Sequence, residues 1–168
     1  MKYNNKGESA LKLYIKQKIF SFKDKFNIFD EYGDVKYTAE GELFSFSKKL
    51  HIKDTSDREV IFIRQKITSI LPKYEVSVKG SDTFEIVKNF RIFKHEYSIN
   101  ELDIKIYGDF IAHNYTVERN GSVIATLSKE LFTWGDSYAI DIINPVDELT
   151  VLAVILVVDC CMESAQND

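Results

Sequence analysis

A short apolar pattern recurs six times along this chain. The triples are Phe22, Phe26, Ile28; Phe46, Leu50, Ile52; Ile70, Tyr74, Val76; Phe93, Tyr97, Ile99; Ile111, Tyr115, Val117; and Trp134, Tyr138, Ile140. Each has a large apolar residue, an aromatic (once Leu) four later, and Ile or Val two after that. The middle members step along the chain by 24, 24, 23, 18 and 23 residues. A unit of this size implies a repeated supersecondary element that buries its apolar face against its neighbours. Flanking residues support the repeat. Ile15-Lys16-Gln17-Lys18-Ile19 matches Ile63-Arg64-Gln65-Lys66-Ile67, and Phe20-Ser21-Phe22 returns as Phe44-Ser45-Phe46.

The local period within each unit is two. Leu11, Leu13 and Ile15 alternate with Lys12 and Tyr14, and Tyr74, Val76 and Val78 alternate with Lys73, Glu75 and Ser77. One apolar and one polar face is the mark of antiparallel strands covered on one side. Turn signals separate the runs, the strongest being Asn120-Gly121, since both central residues of a type I′ turn need φ > 0. Six units of two strands predict about twelve strands, and closure into a barrel removes exposed edges.

Near the C-terminus the pattern changes. Leu149–Val158 is apolar except for Thr150. Asn144 suits an N-cap, Pro145 the first helical position, and Asp147 and Glu148 the positive end of a helix dipole. The β-branched residues of this run would also suit a strand, but the capping signals and the run through Met162 favour a helix over about 145–163. Lacking a polar face, it must be buried on all sides or sit in lipid. A span needs about 20 apolar residues, and here ten are followed by Asp159, so no transmembrane span is expected. The predicted fold is mainly β: a closed antiparallel barrel of about twelve strands around a buried apolar C-terminal helix. Residues 1–10 are expected to be a flexible N-terminus, 11–163 a single domain, and 164–168 a tail. Asp159 is expected to mark where the helix leaves the barrel.

This arrangement resembles the tubby-like fold and, within it, the LURP-one-related (YxjI-like) proteins of bacteria and plants. The residues that carry the likeness are Tyr14–Ser21, Asp30-Glu31-Tyr32-Gly33, Gly108-Asp109-Phe110, Tyr115–Gly121, Phe132–Tyr138 and the apolar tail ending Val157-Val158-Asp159. The resemblance runs from about Leu13 to Asp159. It implies a module known by its fold rather than by an activity. Proteins sharing the fold include tubby proteins, which bind phosphoinositides, and phospholipid scramblases. No lipid-binding motif of tubby proteins maps onto this chain residue by residue.

Candidate chemistry is sparse. Cys160 and Cys161 are adjacent, which is no disulfide framework, and free Cys is commonly a buried small apolar residue. The polar start, Met1–Ala10, lacks a secretory h-region, so a cytoplasmic location is expected, possible attachment to a membrane periphery included. His95 and His113 occupy the same slot of their repeats, expected to be a turn facing solvent. No metal-ligand spacing, nucleophile elbow or phosphate-cradling glycine loop occurs. No catalytic residue, metal or cofactor is therefore expected, and the protein is not expected to be an enzyme. Charge is uneven: residues 1–94 hold 19 Lys+Arg and 13 Asp+Glu, whereas 95–168 hold 3 and 13. The candidate ligand-binding residues are Lys16, Lys18, Lys48, Lys49, Lys53, Arg64 and Lys66, on basic strand faces that can meet anionic phospholipid head groups or another anionic ligand. The alternative is a protein-interaction or structural scaffold in which these lysines only discourage edge pairing. A net-acidic chain without a recognition motif is not expected to bind nucleic acid.

Overall fold

A computed structural model describes residues 11–16, 25–42, 46–67, 73–87, 96–132 and 135–166. The expected flexible segment 1–10 and Lys18 lie outside them. Among the described residues there are twelve strands. They are β1 (Leu11–Ile15), β2 (Lys25–Phe29), β3 (Val35–Gly41), β4 (Lys49–Asp54), β5 (Glu59–Gln65), β6 (Lys73–Val78), β7 (Phe84–Val87), β8 (Glu96–Ile99), β9 (Ile104–Asp109), β10 (Asn114–Arg119), β11 (Ser122–Phe132) and β12 (Gly135–Ile142). One α-helix follows, α1 (Glu148–Gln166). The architecture is mainly β, antiparallel, with a single C-terminal helix.

Each strand pairs with its sequence neighbours, and β1 pairs with both β2 and β12, so the order of pairings returns to its start. Between β7 and β8, Val87 stands opposite Ser98 among the described residues. The period-two reading holds along the walls. Leu50 and Ile52 of β4 face inward between the outward Lys49, His51 and Lys53, and Tyr74, Val76 and Val78 of β6 do the same. The Asn120-Gly121 turn takes the expected form, with φ of 51° and 73° and Arg119 opposite Ser122.

The helix fills the interior. Val151 to Val158 are all fully buried, as are Cys160 and Cys161. Burying one large aliphatic side chain contributes about 1.5–3 kcal/mol, so this segment and the inward strand residues stabilise each other. Asn144 does cap, but it caps a 3₁₀ turn, Pro145–Asp147, with its Oδ1 accepting from Val146 N at 3.1 Å. The α-helix proper begins at Glu148 and runs to Gln166, past the expected end at 163. Asp159 does not mark an exit: it is 3% exposed and still inside.

The repeat is only partly a core pattern. Its middle and last members are buried wherever their side chains are described, as in Leu50 and Ile52 or Tyr115 and Val117. Its two described first members are not. Phe46 is fully exposed and Ile111 is 78% exposed. Both stand in connections between strands, where the alternation has stopped. The other first members, Phe22, Ile70, Phe93 and Trp134, lie outside the described residues.

In an antiparallel ring alternate connections fall at the same end. The helix enters beside the β2–β3 connection, where Glu148 accepts from Tyr37 Oη at 3.0 Å and pairs with Lys36 at 2.6 Å. It runs toward the end that carries the β3–β4, β5–β6 and β9–β10 connections, where Asp159 meets Tyr115 at the start of β10. These are called below the entry end and the far end.

Gly108 closes the β9–β10 hairpin under a tight constraint. Its φ is +142°, and a Cβ there would lie 2.5 Å from the Asn114 carbonyl oxygen and 2.7 Å from Tyr115 Cα. Both neighbours are backbone, so neither yields cheaply. Gly108→Ala is expected to destabilise the fold by about 1–3 kcal/mol, read as a lowered midpoint in thermal or urea unfolding. An unchanged midpoint contradicts this constraint.

Candidate functional site

The outward faces of β3 to β7 hold most of the candidate cations, and strand register decides what they meet. Lys49 of β4 pairs with Glu42 at 2.9 Å, and Lys53 with Glu40 at 3.3 Å and Asp57 at 3.2 Å. Arg64 of β5 pairs with Glu75 of β6 at 2.6 Å. Lys66 bridges Glu75 at 3.3 Å and Glu85, and Lys73 also reaches Glu85. His51 sits between Glu59 (Nδ1, 2.6 Å) and Glu42 (Nε2, 3.0 Å). The wall is thus a lattice of alternating charge rather than a bare basic patch. Its carboxylates respond: Glu85 is held below the usual carboxylate range by Lys66 and then Lys73. Partial burial works against the His51 proton, but the two carboxylates more than offset it, and its pKa rises above 6.5.

Two candidates lie elsewhere. Lys16 follows β1 and places Nζ 4.2 Å from the Phe29 ring centroid, a cation–π contact on the wall. Lys48 stands in the β3–β4 connection, its carbonyl accepting from Gln65 N at 2.8 Å. The structure therefore gathers Lys49, Lys53, Arg64 and Lys66 on one wall, with Lys48 at its far-end rim, and sets Lys16 apart. The acids that partner them went unnoticed in the sequence. Their signal was there, in Glu40, Glu75 and Glu85 at alternate positions of neighbouring runs, but only the register shows which cation each one opposes.

The two ends differ in charge. At the far end, the described residues of the connections, 16, 42, 46–48, 66–67 and 110–113, include Lys16, Lys48 and Lys66 and one acid, Glu42. At the entry end, segments 30–34, 55–58, 79–83, 100–103, 120–121 and 143–147 contain eight acids and two Lys or Arg. An open cleft of about 770 Å³ lies at the entry end, between the β6–β7 connection and the helix start. Asp82, Glu101 and Asp147 line it, and Arg119 there is bound to Asp147. Among the described residues no group of three or more His, Cys, Asp or Glu is arranged to hold a metal ion, and no helix is long and apolar enough to cross a membrane.

Toward the far end a polar group interrupts the apolar interior. Asp159 Oδ1 accepts from Tyr115 Oη at 3.4 Å and lies 3.7 Å from His113 Nδ1, beyond hydrogen-bond distance. His113 does not face solvent as its repeat slot implied. Its φ of +50° turns the ring inward, against Tyr138 at 4.6 Å between centroids. Its Nδ1 is buried without a hydrogen bond among the described residues. Burial raises the Asp159 pKa above 3.8, with His113 and Tyr115 opposing.

A mainly β fold of antiparallel strands with one C-terminal helix, without a metal-binding cluster among its described residues, defines a class by architecture rather than by chemistry. The sequence signature of the LURP-one-related family spans residues 11–159. The chain belongs to that family. It is 32% identical over 158 residues to YxjI of Bacillus subtilis (strain 168), covering 94% of this chain and 98% of that one. It is 24% identical over 171 residues to LURP-one-related 14 of Arabidopsis thaliana, covering 88% and 82%. A crystal structure of an Arabidopsis thaliana protein matches it with a TM-score of 0.64 and 16% identity, covering 89% of this chain and 90% of that one, which shows the fold alone.

The raised Asp159 pKa has a signed consequence for stability. The folded state holds this proton more tightly than the unfolded chain, so the contribution is fully present below about pH 3.8 and is lost as pH rises through the folded value. Asp159→Asn keeps an acceptor for Tyr115 and cannot ionise. Its melting temperature relative to the parent is expected to climb as pH rises from 4 to 8. Parallel curves for the two proteins would contradict the burial of an ionisable carboxyl.

Proposed function

We propose that this protein is a non-enzymatic binding module, a closed tubby-like barrel that meets an anionic lipid surface with its far end. The observation that carries the reading is the separation of charge along the helix axis among the described residues, with Lys16, Lys48 and Lys66 in the far-end connections and eight acids in the entry-end ones. Such a molecule is oriented by a negative surface before it touches it. The filled interior supports a role at the surface, since Val151–Val158 occupy the space in which wider barrels keep a ligand. The strand-face lysines contribute less than their number suggests, because each already has a carboxylate. Exposed pairs of this kind are worth only about 0–1 kcal/mol, so an approaching phosphate can compete for them, but their acids repel it.

The charge lattice itself favours a second reading, a protein-interaction scaffold that meets an equally mixed surface and has no affinity for lipid.

Co-sedimentation with neutral, phosphatidylserine and phosphoinositide vesicles separates the two. Binding to the anionic vesicles alone is expected, weakening from low to physiological salt as the Debye length falls to about 8 Å. Lys48→Glu with Lys66→Glu is expected to weaken it at least tenfold, at about 1 kcal/mol for each charge near the surface and more on reversal. Equal, negligible binding to all vesicles at both salts overturns the lipid reading and leaves the scaffold.

A further inference from the structure

We infer that the far end inserts apolar side chains into the membrane interface, with Phe46, Ile67 and Ile111 as the inserting residues. The inference rests on the proposed lipid reading and specifies how the surface is held.

These three are among the most exposed large apolar side chains of the described residues: Phe46 fully, Ile111 at 78% and Ile67 at 65%. They stand in three separate connections, β3–β4, β9–β10 and β5–β6, all at the far end. Scattered exposed apolar residues need no explanation. These are not scattered with respect to the repeat. Phe46 and Ile111 occupy its first slot, which is large and apolar in all six copies, and in both described copies that slot has no part in the core. A recurrent apolar residue that packs against nothing is better suited to a medium outside the protein.

The Ile111 tip is held outward by its own turn. Phe110 beside it is buried and stacks on Tyr115 at 5.1 Å. Asp109 Oδ1 accepts from Ala112 N at 2.9 Å, and His113 N donates to Phe110 O at 3.2 Å with His113 in the left-handed region. Ile111 therefore cannot fold back over the core without breaking the turn. Charge selects the occupant. Lys48 lies two residues after Phe46, and Lys66, which Glu75 and Glu85 hold, precedes Ile67, so basic residues flank two of the three tips where these enter the acyl boundary. Tyr32 and Val146 are exposed as well, but at the acidic entry end, which an anionic surface repels.

The test uses phosphatidylcholine–phosphatidylserine vesicles with brominated acyl chains and the full chain carrying Phe46→Trp and Trp134→Phe, which leaves one indole. Bromine quenching and a blue shift of that indole are expected on binding. Independently, Phe46→Ser with Ile111→Ser, in the otherwise unaltered protein, is expected to keep its melting temperature and to lose about tenfold in vesicle affinity, a loss that persists at high salt. Full binding by the Ser variant without quenching of the indole overturns insertion and leaves electrostatic attachment standing. Failure of the parent to bind any vesicle overturns both.

Discussion

An α-helix with no polar face has one requirement, which is to be surrounded. In this protein that requirement organises everything else. Residues 151–158 are fully buried, and no single sheet face could cover them all round. A ring of strands can. The converse dependence is as strong, because the inward side chains of the strands share one core with the helix. Neither part has a complete core alone. The inward positions of the strands, such as Leu50, Ile52, Ile61 and Ile63, pack on a partner that comes last in the chain.

Once the interior is occupied, interaction is left to the outer wall and the two ends. The wall from β3 to β7 carries paired charge, with Lys49 held by Glu42, Arg64 by Glu75 of the next strand, and Lys66 by Glu75 and Glu85. Among the described residues the ends differ in charge and in texture. The entry end is acidic and cleft; the far end presents lysines and apolar tips. His113 and Asp159 lie just beneath that far end, where the apolar interior carries two ionisable groups close together. A lone carboxyl on a buried helix is expensive to ionise, and Tyr115 and His113 lower that penalty without removing it.

Much of the fold was legible because it rests on local signals. The period-two alternation, the Asn120-Gly121 turn and the apolar run Val151–Val158 behind an Asn144-Pro145 start are such signals. Less of the candidate site was legible, because it depends on which residues face each other. Lys66 reads as one more exposed cation until register places it against Glu75 and Glu85. His113 reads as a solvent-facing turn residue until its positive φ is known. The first slot of the repeat misled for a related reason. Phe46 shares hydrophobicity and spacing with its core companions, and period alone does not show that the strand has ended before it.

The central claim is that the helix is an integral part of the ring and not a segment docked upon it. Native-state hydrogen exchange tests this most directly. The amides of Val151–Val158 should exchange as slowly as those of β4, β5 and β6, and only through global unfolding, so that denaturant shifts all of them together. Helix amides that exchange within minutes while those strands stay protected would mean that the ring stands without its core helix, and the account would fail.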